Sequence, residues 1–335
     1  MKSISITLMV VLAAGFTAPA IHAQITTHQV YVAPEQRNAA IVYWQAFGAI
    51  TPELSAAVSA IEWNDSFQKD TMTESFNAAA VMDDARAVAL ITRAARMKNC
   101  NFECQWEDGF MTLLPHLSHL RSCARLLRLE ARKLAIGGDV ASSIDTLISI
   151  RRIAEHTAVE PIAISKLVAI AINALACDEM KKLAGSGLLN EAQRDALITE
   201  LRRSDLSDIY AISEFFIGER SWIPVDVDAA WIRKNVLAAV PEGTDRDKFN
   251  QLSDETIMND IPKVMRMYDA LMTAWRAPDA PSELKAVATR IESGEFGVLA
   301  GVAAPSVSNI KAATDKACQT ILDTITALEQ AQLRN

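Results

Sequence analysis

The chain has 335 residues, half of them hydrophobic, and its 41 acidic residues outnumber its 33 basic ones to give a net charge of −8 at pH 7. This acidic balance argues against a protein that coats nucleic acid or anionic membrane, because binding there depends on a basic surface. With only 12 Gly and 11 Pro, the composition favours helices over a turn-rich β architecture.

The N-terminus has the layout of a secretory signal peptide. Lys2 gives a positive start, residues 4–16 form an apolar run, and small residues precede two cleavage positions, after Ala20 and after Ala23. We expect cleavage after Ala23. An uncleaved anchor is the alternative, but the apolar run is shorter than the roughly 20 residues that a membrane span needs. The mature chain, 24–335, is therefore predicted to be exported, to the periplasm or the extracellular space, without a stable span.

The front half of the mature chain predicts helices separated by polar segments. Thr51 followed by Pro52 is typical of a helix start, because Thr accepts from a free amide and Pro suits the first helical position. Residues 64–73 are mostly polar and predict a loop, whereas residues 74–98 carry Ala and Val at helical spacing. Residues 100–109 have no hydrophobic period and predict an irregular insertion.

The strongest helical pattern begins at Leu113. From there to Leu134, Leu and Ala recur four and three residues apart, which places them on one stripe of a helix. Gly137 and Gly138 end this helix, and Asp139 can cap the next one. Two helices with so short a connection are expected to lie antiparallel. The pair loosely resembles one tetratricopeptide hairpin, but no second copy follows at a fixed period.

The next segment, residues 161–177, has one charged residue, Lys166, among mostly apolar ones. A helix that is apolar on every side is buried inside a protein or a membrane. We therefore expect this segment to be the central buried helix of the fold. Asn173, if buried there, needs hydrogen-bond partners.

Beyond this segment the chain predicts further helices. Residues 185–187, Gly-Ser-Gly, are the best candidate for an internal boundary, so we expect one all-α domain over 24–335 with a sub-boundary near 185–190. Asn190 with Gln193 is a capping-box pattern. Later helices, with prolines such as Pro224, Pro241, Pro278 and Pro305 at their boundaries, are predicted at about 205–222, 226–238, 253–277, 281–293 and 305–333. No stretch has a useful strand alternation, so the predicted fold is all-α, with antiparallel helical hairpins packed around the central buried helix.

Several short motifs stand out between residues 38 and 220. They are Asn38-Ala39-Ala40 with Tyr43-Trp44, Cys100-Asn101-Phe102, Leu-Leu-Pro-His-Leu at 113–117 with Arg121, Gly138-Asp139, Arg152 with His156, Glu160-Pro161, Ile164-Ser165 with Leu167-Val168, and Glu219-Arg220. Together they resemble a family of uncharacterised exported bacterial all-helical proteins. The resemblance implies an exported helical protein, and it implies no activity.

A group of Cys and His residues could bind a metal ion. Cys100, Cys104, His116 and His119 carry thiolate and imidazole, the ligands that zinc prefers, and the two histidines share a helix face. Their two-residue separation is shorter than the about three to five residues of a zinc finger, and export exposes the thiols to oxidation. A local Cys100–Cys104 disulfide and unlinked thiols are the alternatives. We therefore predict no metal or cofactor and keep these four residues as the runner-up site.

Arg121, Arg125, Arg128 and Arg132 lie four, three and four residues apart on a flank of the Leu113–Leu134 helix. Such a row could bind carboxylate or phosphate groups of a partner through forked guanidinium contacts. The alternative is a solvated or salt-bridged helix face.

Glu155, His156 and Glu160 are the candidates for acid–base chemistry. Adjacent residues on a helix point about 100° apart, so Glu155 and His156 cannot easily share one target. We expect Glu160 to cap the helix that follows and Glu155 to pair with an Arg. No catalytic residue is predicted.

The sequence has no Gly-rich phosphate loop, no haem-attachment motif, no His-Glu-x-x-His and no nucleophile elbow. The leading hypothesis is a non-enzymatic exported helical scaffold or binding protein of the cell envelope, with a protein or envelope partner that the sequence does not identify. The alternative hypothesis is a metal-dependent or acid–base envelope enzyme that uses the Cys100–Cys123 region or Glu160.

Overall fold

The computed structural model describes residues 37–221, 223, 227–239, 247, 250–304 and 307–332. The predicted signal peptide and its cleavage sites at Ala20 and Ala23 lie outside the described residues, and so do Pro224, Pro241 and Pro305. Those predictions stay predictions.

The described residues form an all-α fold, which confirms the predicted fold class, and among them the only β feature is one isolated bridge between Asn38 and Asn99. Short 3-10 helices lie at Lys69–Thr71, Trp106–Met111 and Ile209–Glu214. The α-helices are α1 Ala39–Ala49, α2 Pro52–Ser59, α3 Glu74–Ala80, α4 Ala85–Ala95, α5 Pro115–Ile136, α6 Val140–Thr157, α7 Ala163–Gly185, α8 Glu191–Arg202, α9 Phe215–Ser221, α10 Ala229–Ala239, α11 Asp254–Trp275, α12 Ala280–Glu292, α13 Val298–Ala303 and α14 Val307–Gln332.

Two predicted helix starts are confirmed by side-chain hydrogen bonds. Thr51 caps α2, where its hydroxyl oxygen accepts from the backbone N–H of Leu54 at 3.2 Å. Asn190 and Gln193 form a complete capping box at the start of α8. Both caps satisfy amides that the first turn of a helix leaves free.

Residues 74–98 form two helices, α3 and α4, instead of the one continuous helical pattern of the sequence. The break covers residues 81–84, and within it the Asp83 carboxylate accepts from the backbone N–H of Ala85 at 3.4 Å. Asp favours such local contacts over a helix interior, which explains the break.

The turn between α5 and α6 is formed as predicted. Gly138 has a φ of +88°, a left-handed conformation that glycine adopts readily. The Asp139 carboxylate caps α6 by accepting from the backbone N–H of Ser142 at 3.1 Å. The two helices pack against each other, and the Ser143 hydroxyl donates to the Ala131 carbonyl at 2.7 Å.

The predicted central helix is α7, which packs against α5, α6, α9 and α14. Ile172 and Met180 are fully buried on its inner side. The expectation of burial on every side was too strong, because Ile164 is 49% exposed and Ala171 and Ala174 also reach solvent. One flank of the helix therefore stays uncovered, and small alanines occupy much of it.

The core consists of two hydrophobic clusters. The larger draws on α1 to α8 and on the C-terminal half of α14, and the smaller draws on α9 to α13 and the start of α14. Residues of α7 contact both clusters. The change from one cluster to the other falls between Ile209 and Ile212. The single domain with a sub-boundary near 185–190 stays a prediction.

None of the helices among the described residues combines the length and the hydrophobicity that crossing a lipid bilayer requires.

A buried ion-pair network joins α5 to α7. Glu179, only 1% exposed, accepts from the Nε atoms of Arg128, at 3.0 Å, and of Arg132. Arg128 also donates to Asp178 at 2.6 Å, and its guanidinium lies 4.1 Å from the centre of the Trp63 ring. These two arginines are held by carboxylates of the chain itself.

We expect Glu179→Ala to lower the free energy of unfolding by about 3–5 kcal/mol, because the substitution leaves two buried guanidinium groups without their carboxylate. Asp178→Ala is the matched control, since it lies on the same helix and also contacts Arg128 but is 42% exposed. Its loss should stay below about 1 kcal/mol. Urea unfolding followed by circular dichroism measures both, and equal losses would contradict the importance of the buried pair.

Candidate metal centre

Three side chains of the kinds that bind metal ions converge from separate parts of the chain. Cys104 lies in the irregular segment before α5, His116 lies in the first turn of α5, and Glu160 lies in the connection from α6 to α7. The Cys104 Sγ, a ring nitrogen of His116 and a carboxylate oxygen of Glu160 all lie within 4.8 Å of one another. A thiol, an imidazole and a carboxylate are the three ligand types most used for zinc.

The Glu160 carboxylate is the centre of this group. Its Oε1 lies 2.8 Å from Nε2 of His116 and accepts from the Cys104 thiol at 3.3 Å. Its Oε2 accepts from the hydroxyl of Ser165, in the first turn of α7, at 2.5 Å. Both Glu160 and Ser165 are buried. The carboxylate is thus oriented from one side by α7, and its other oxygen faces Cys104 and His116.

The contact between His116 and Glu160 is short without being a hydrogen bond. Although 2.8 Å separates Nε2 from Oε1, the oxygen lies away from the direction in which a ring N–H would point. Nε2 is therefore a polar atom without a hydrogen-bond partner in the described part of the chain, on a side chain that is 2% exposed. A hydrogen bond weakens steeply off its axis, so the short distance alone does not make one here. This nitrogen lies within 4.8 Å of both the thiol and the carboxylate oxygen.

Neighbouring residues restrain the positions of His116 and Cys104. Pro115 occupies the first position of α5 and so fixes where the helix begins, one residue before His116. The Phe102 ring stacks on the imidazole of His116 with a centroid distance of 4.1 Å and an angle of 12°. Glu103, at a φ of +53°, turns the chain between Phe102 and Cys104.

The electrostatics of the group argue against a nucleophilic cysteine. Burial, and then the charge of Glu160, raise the pKa of the Cys104 thiol to about 12. A cysteine nucleophile needs a lowered pKa so that the thiolate exists at neutral pH. The thiol also contacts the carboxylate and not the imidazole that would have to accept its proton. A divalent cation among the three groups would reverse this preference, because it would stabilise thiolate and carboxylate together.

Two of the four residues of the runner-up metal site, Cys104 and His116, lie in this group, and Cys100 and His119 do not. The Cys100 thiol is buried apart from it, and burial, followed by the charge of Glu160, raises its pKa to about 12. His119 is exposed, and its ring stacks on Phe47 at 4.8 Å. Cys104 and His116 are joined instead by Glu160, for which the sequence pattern indicated only acid–base chemistry or capping.

The expectation that Glu160 caps α7 is wrong. The first amide of that helix, the N–H of Ala163, donates to Oε1 of Glu219 at 3.1 Å, and the Glu160 side chain turns away toward Cys104. One acid thus replaces the other at the helix start.

All five cysteines are free thiols in the structure. Cys104 donates to Glu160, so the Cys100–Cys104 disulfide is not formed here. Its formation under oxidising conditions stays a prediction.

The four predicted anion-binding arginines do not form one exposed row. Arg128 and Arg132 are buried in the ion-pair network, Arg121 is exposed and Arg125 is half-buried. Heptad-like spacing placed them on one side of α5, but α7 covers half of that side. Binding of an anionic partner by Arg121 and Arg125 stays a prediction.

The remaining acid–base candidates have structural contacts. Glu155 pairs with Arg152 at 2.7 Å, in agreement with the expected Arg partner. His156 uses both ring nitrogens, one with the Tyr43 hydroxyl at 3.0 Å and one with the Met97 carbonyl at 3.0 Å, and burial lowers its pKa. His156 therefore holds Tyr43, whose ring packs beside the Phe102 ring that stacks on His116.

Comparison with models of known protein families, with curated proteins and with solved structures found no match for this chain. The resemblance to an exported helical family stays a prediction. Residues on which it rests do meet in space, since Tyr43 packs near Phe102 and His156, and Phe102 stacks on His116 beside Glu160.

We expect Glu160→Gln to accelerate alkylation of Cys104 in metal-free protein, because the substitution removes a charge that raises the pKa of the thiol. The pH profile of iodoacetamide labelling, read by mass spectrometry of the Cys104 peptide, should move to lower pH. Glu155→Gln is the control and should leave the profile in place. An unchanged profile in Glu160→Gln would contradict the contact between thiol and carboxylate.

Proposed function

We propose that this protein is an exported helical binding protein of the cell envelope that holds a divalent transition-metal ion, with zinc the best fit, at Cys104, His116 and Glu160. One observation carries the metal: a buried Nε2 of His116 without a hydrogen-bond partner shares a 4.8 Å space with a thiol and a carboxylate. Export rests on the signal-peptide pattern of residues 1–23.

The charges and donor types of the three residues suit such an ion. A thiolate, a carboxylate and a neutral imidazole together offset a charge of +2. The thiolate favours zinc and its neighbours over magnesium and calcium, which prefer oxygen ligands. The Ser165 hydroxyl supports the carboxylate from behind, as the outer contacts of metal ligands commonly do.

A second candidate function follows from the number of ligands. Three protein ligands leave the fourth position of a tetrahedral ion for water or another ligand, the arrangement of catalytic zinc sites. Cys104 is half-buried, so this group is not closed off from solvent. A metal-dependent enzyme of the cell envelope is therefore the alternative. It predicts turnover of an envelope substrate that is lost in the same variants that lose the metal.

We expect the purified, chelator-stripped protein to bind one equivalent of Co²⁺, used as a spectroscopic substitute for zinc. Binding should produce a sulfur-to-cobalt charge-transfer absorption, and Zn²⁺ should displace the cobalt. Cys104→Ser should abolish the charge-transfer band. His116→Ala should lower the affinity at least about 100-fold, because it removes a direct ligand of the ion.

Cys100→Ser and His119→Ala are the matched controls, since each removes a neighbouring residue of the same type that lies outside the group. Both should retain the wild-type spectrum and affinity. The proposal fails if the wild-type protein binds no cobalt, or if the two controls lose as much affinity as Cys104→Ser and His116→Ala.

A further inference from the structure

Two consecutive residues of α9 contact the segment that carries Glu160 and hold it in place. Oε1 of Glu219 accepts from the N–H of Ala163, and the backbone at Gly218 packs onto the carbonyl of Pro161. A Cβ atom at Gly218 would lie 1.7 Å from that carbonyl oxygen, so only glycine fits there without a shift. The two contacts fall on either side of the turn that leads from Glu160 into α7.

Helix α9, which makes these contacts, is itself firmly packed. Phe215 and Phe216, at the start of α9, are almost fully buried in the smaller hydrophobic cluster, and both rings meet Trp275 edge-on. The smaller cluster therefore places Gly218 and Glu219. His116, in contrast, lies on α5, which belongs to the larger cluster.

The Glu160 carboxylate could lie in either of two places, at the start of α7 or beside Cys104 and His116. Glu160 lies three residues before the first residue of α7, where a carboxylate is stabilised by free amides and by the helix dipole. In the structure the Ala163 amide is already taken by Glu219, and Ser165 holds the Glu160 carboxylate on the side of the metal centre. Removing Glu219 would free the Ala163 amide, so that the Glu160 carboxylate could move to the start of α7.

Burial raises the pKa of Glu219 to about 7, and the hydrogen bond from Ala163 opposes that shift. A carboxyl group in such surroundings is unfavourable unless its contact is formed. The hydrogen bond from the Ala163 amide is a polar interaction that holds this side chain against α7.

We propose that Glu219 and Gly218 are positioning residues of the metal centre, which keep Glu160 turned toward Cys104 and His116 by occupying the first amide of α7 and holding Pro161. This inference rests on the proposed metal binding. By thermodynamic linkage, a bound ion would also stabilise the contact between α9 and α7.

The test compares substitutions of Glu219 by Co²⁺ titration. Glu219→Ala should lower the affinity at least about tenfold and shift the d–d bands of cobalt, because Glu160 leaves the coordination sphere, while the charge-transfer band of Cys104 remains. Glu219→Gln keeps an oxygen that accepts from Ala163 and should restore both affinity and spectrum. A purely structural role of Glu219 would not move the d–d bands.

Substitution of glycine provides a second, independent arm. Gly218→Ala should weaken cobalt binding in the same way, because the added methyl group displaces Pro161. Gly185→Ala is its matched control at the other end of α7, where a Cβ would meet nothing within 4 Å. Circular dichroism confirms that each variant is folded before its titration is interpreted.

The outcomes separate this inference from the proposed function. If the wild-type protein binds no cobalt, the proposed function fails. If the wild type binds and Glu219→Ala has the same affinity and spectrum, the positioning role is overturned and the site stands. Should Glu219→Ala not fold, Glu219→Asp decides, because it keeps the charge but falls short by one methylene. Wild-type binding by that variant would overturn the inference.

Discussion

The Glu160 carboxylate is the group on which the arrangement of the site depends. A buried carboxylate is stable only if other groups satisfy it, and here two do: Ser165 donates to one oxygen and Cys104 donates to the other. His116 approaches the second oxygen without donating to it. Burial, and then the negative charge of Glu160, raise the pKa of the Cys104 thiol, so the thiol keeps its proton at neutral pH. A divalent cation would oppose that shift, since it favours thiolate, carboxylate and an unprotonated imidazole at once. The electrostatics that make Cys104 a poor nucleophile in the metal-free protein are thus those that a bound cation would reverse.

The position of α7 explains why these groups meet. This helix lies between the two hydrophobic clusters, and its first turn is where the chain passes from α6 into the centre of the fold. The larger cluster fixes α5 and with it His116. The smaller cluster fixes α9, whose contacts with Pro161 and Ala163 determine the direction in which Glu160 leaves the backbone. The site thus depends on the relative placement of both clusters.

Much of the local structure follows from the sequence. The period from Leu113 to Leu134 predicts α5, Gly138 and Asp139 predict its connection to α6, and Cys104 and His116 are recognisable by their chemistry. What periodicity does not contain is the identity of the neighbour that covers each side of a helix. For that reason Arg128 and Arg132 look like Arg121 in the sequence, although Glu179 and Trp63 bury them. The direction of the Glu160 side chain is harder to predict from the sequence, because it depends on Glu219, 56 residues from the amide that it caps. Local rules place the nearby Glu160 at the start of α7, whereas the acid found there is Glu219, from a distant part of the chain.

The helices and the irregular segment contribute differently to the centre. His116 and the support for Glu160 lie in first turns of helices, which tertiary packing on both clusters holds in place. Cys104 belongs to a segment without regular hydrogen bonding over residues 100–105, attached to the helices through contacts such as Asn38 with Asn101 and Phe102 with His116. A metal ion would join this segment to α5 and to the connection between α6 and α7, so part of its binding free energy would order the segment itself. Selection among ions then depends on the thiol, because imidazole and carboxylate alone accept many divalent metals, and the soft sulfur ligand restricts the set to zinc and its neighbours.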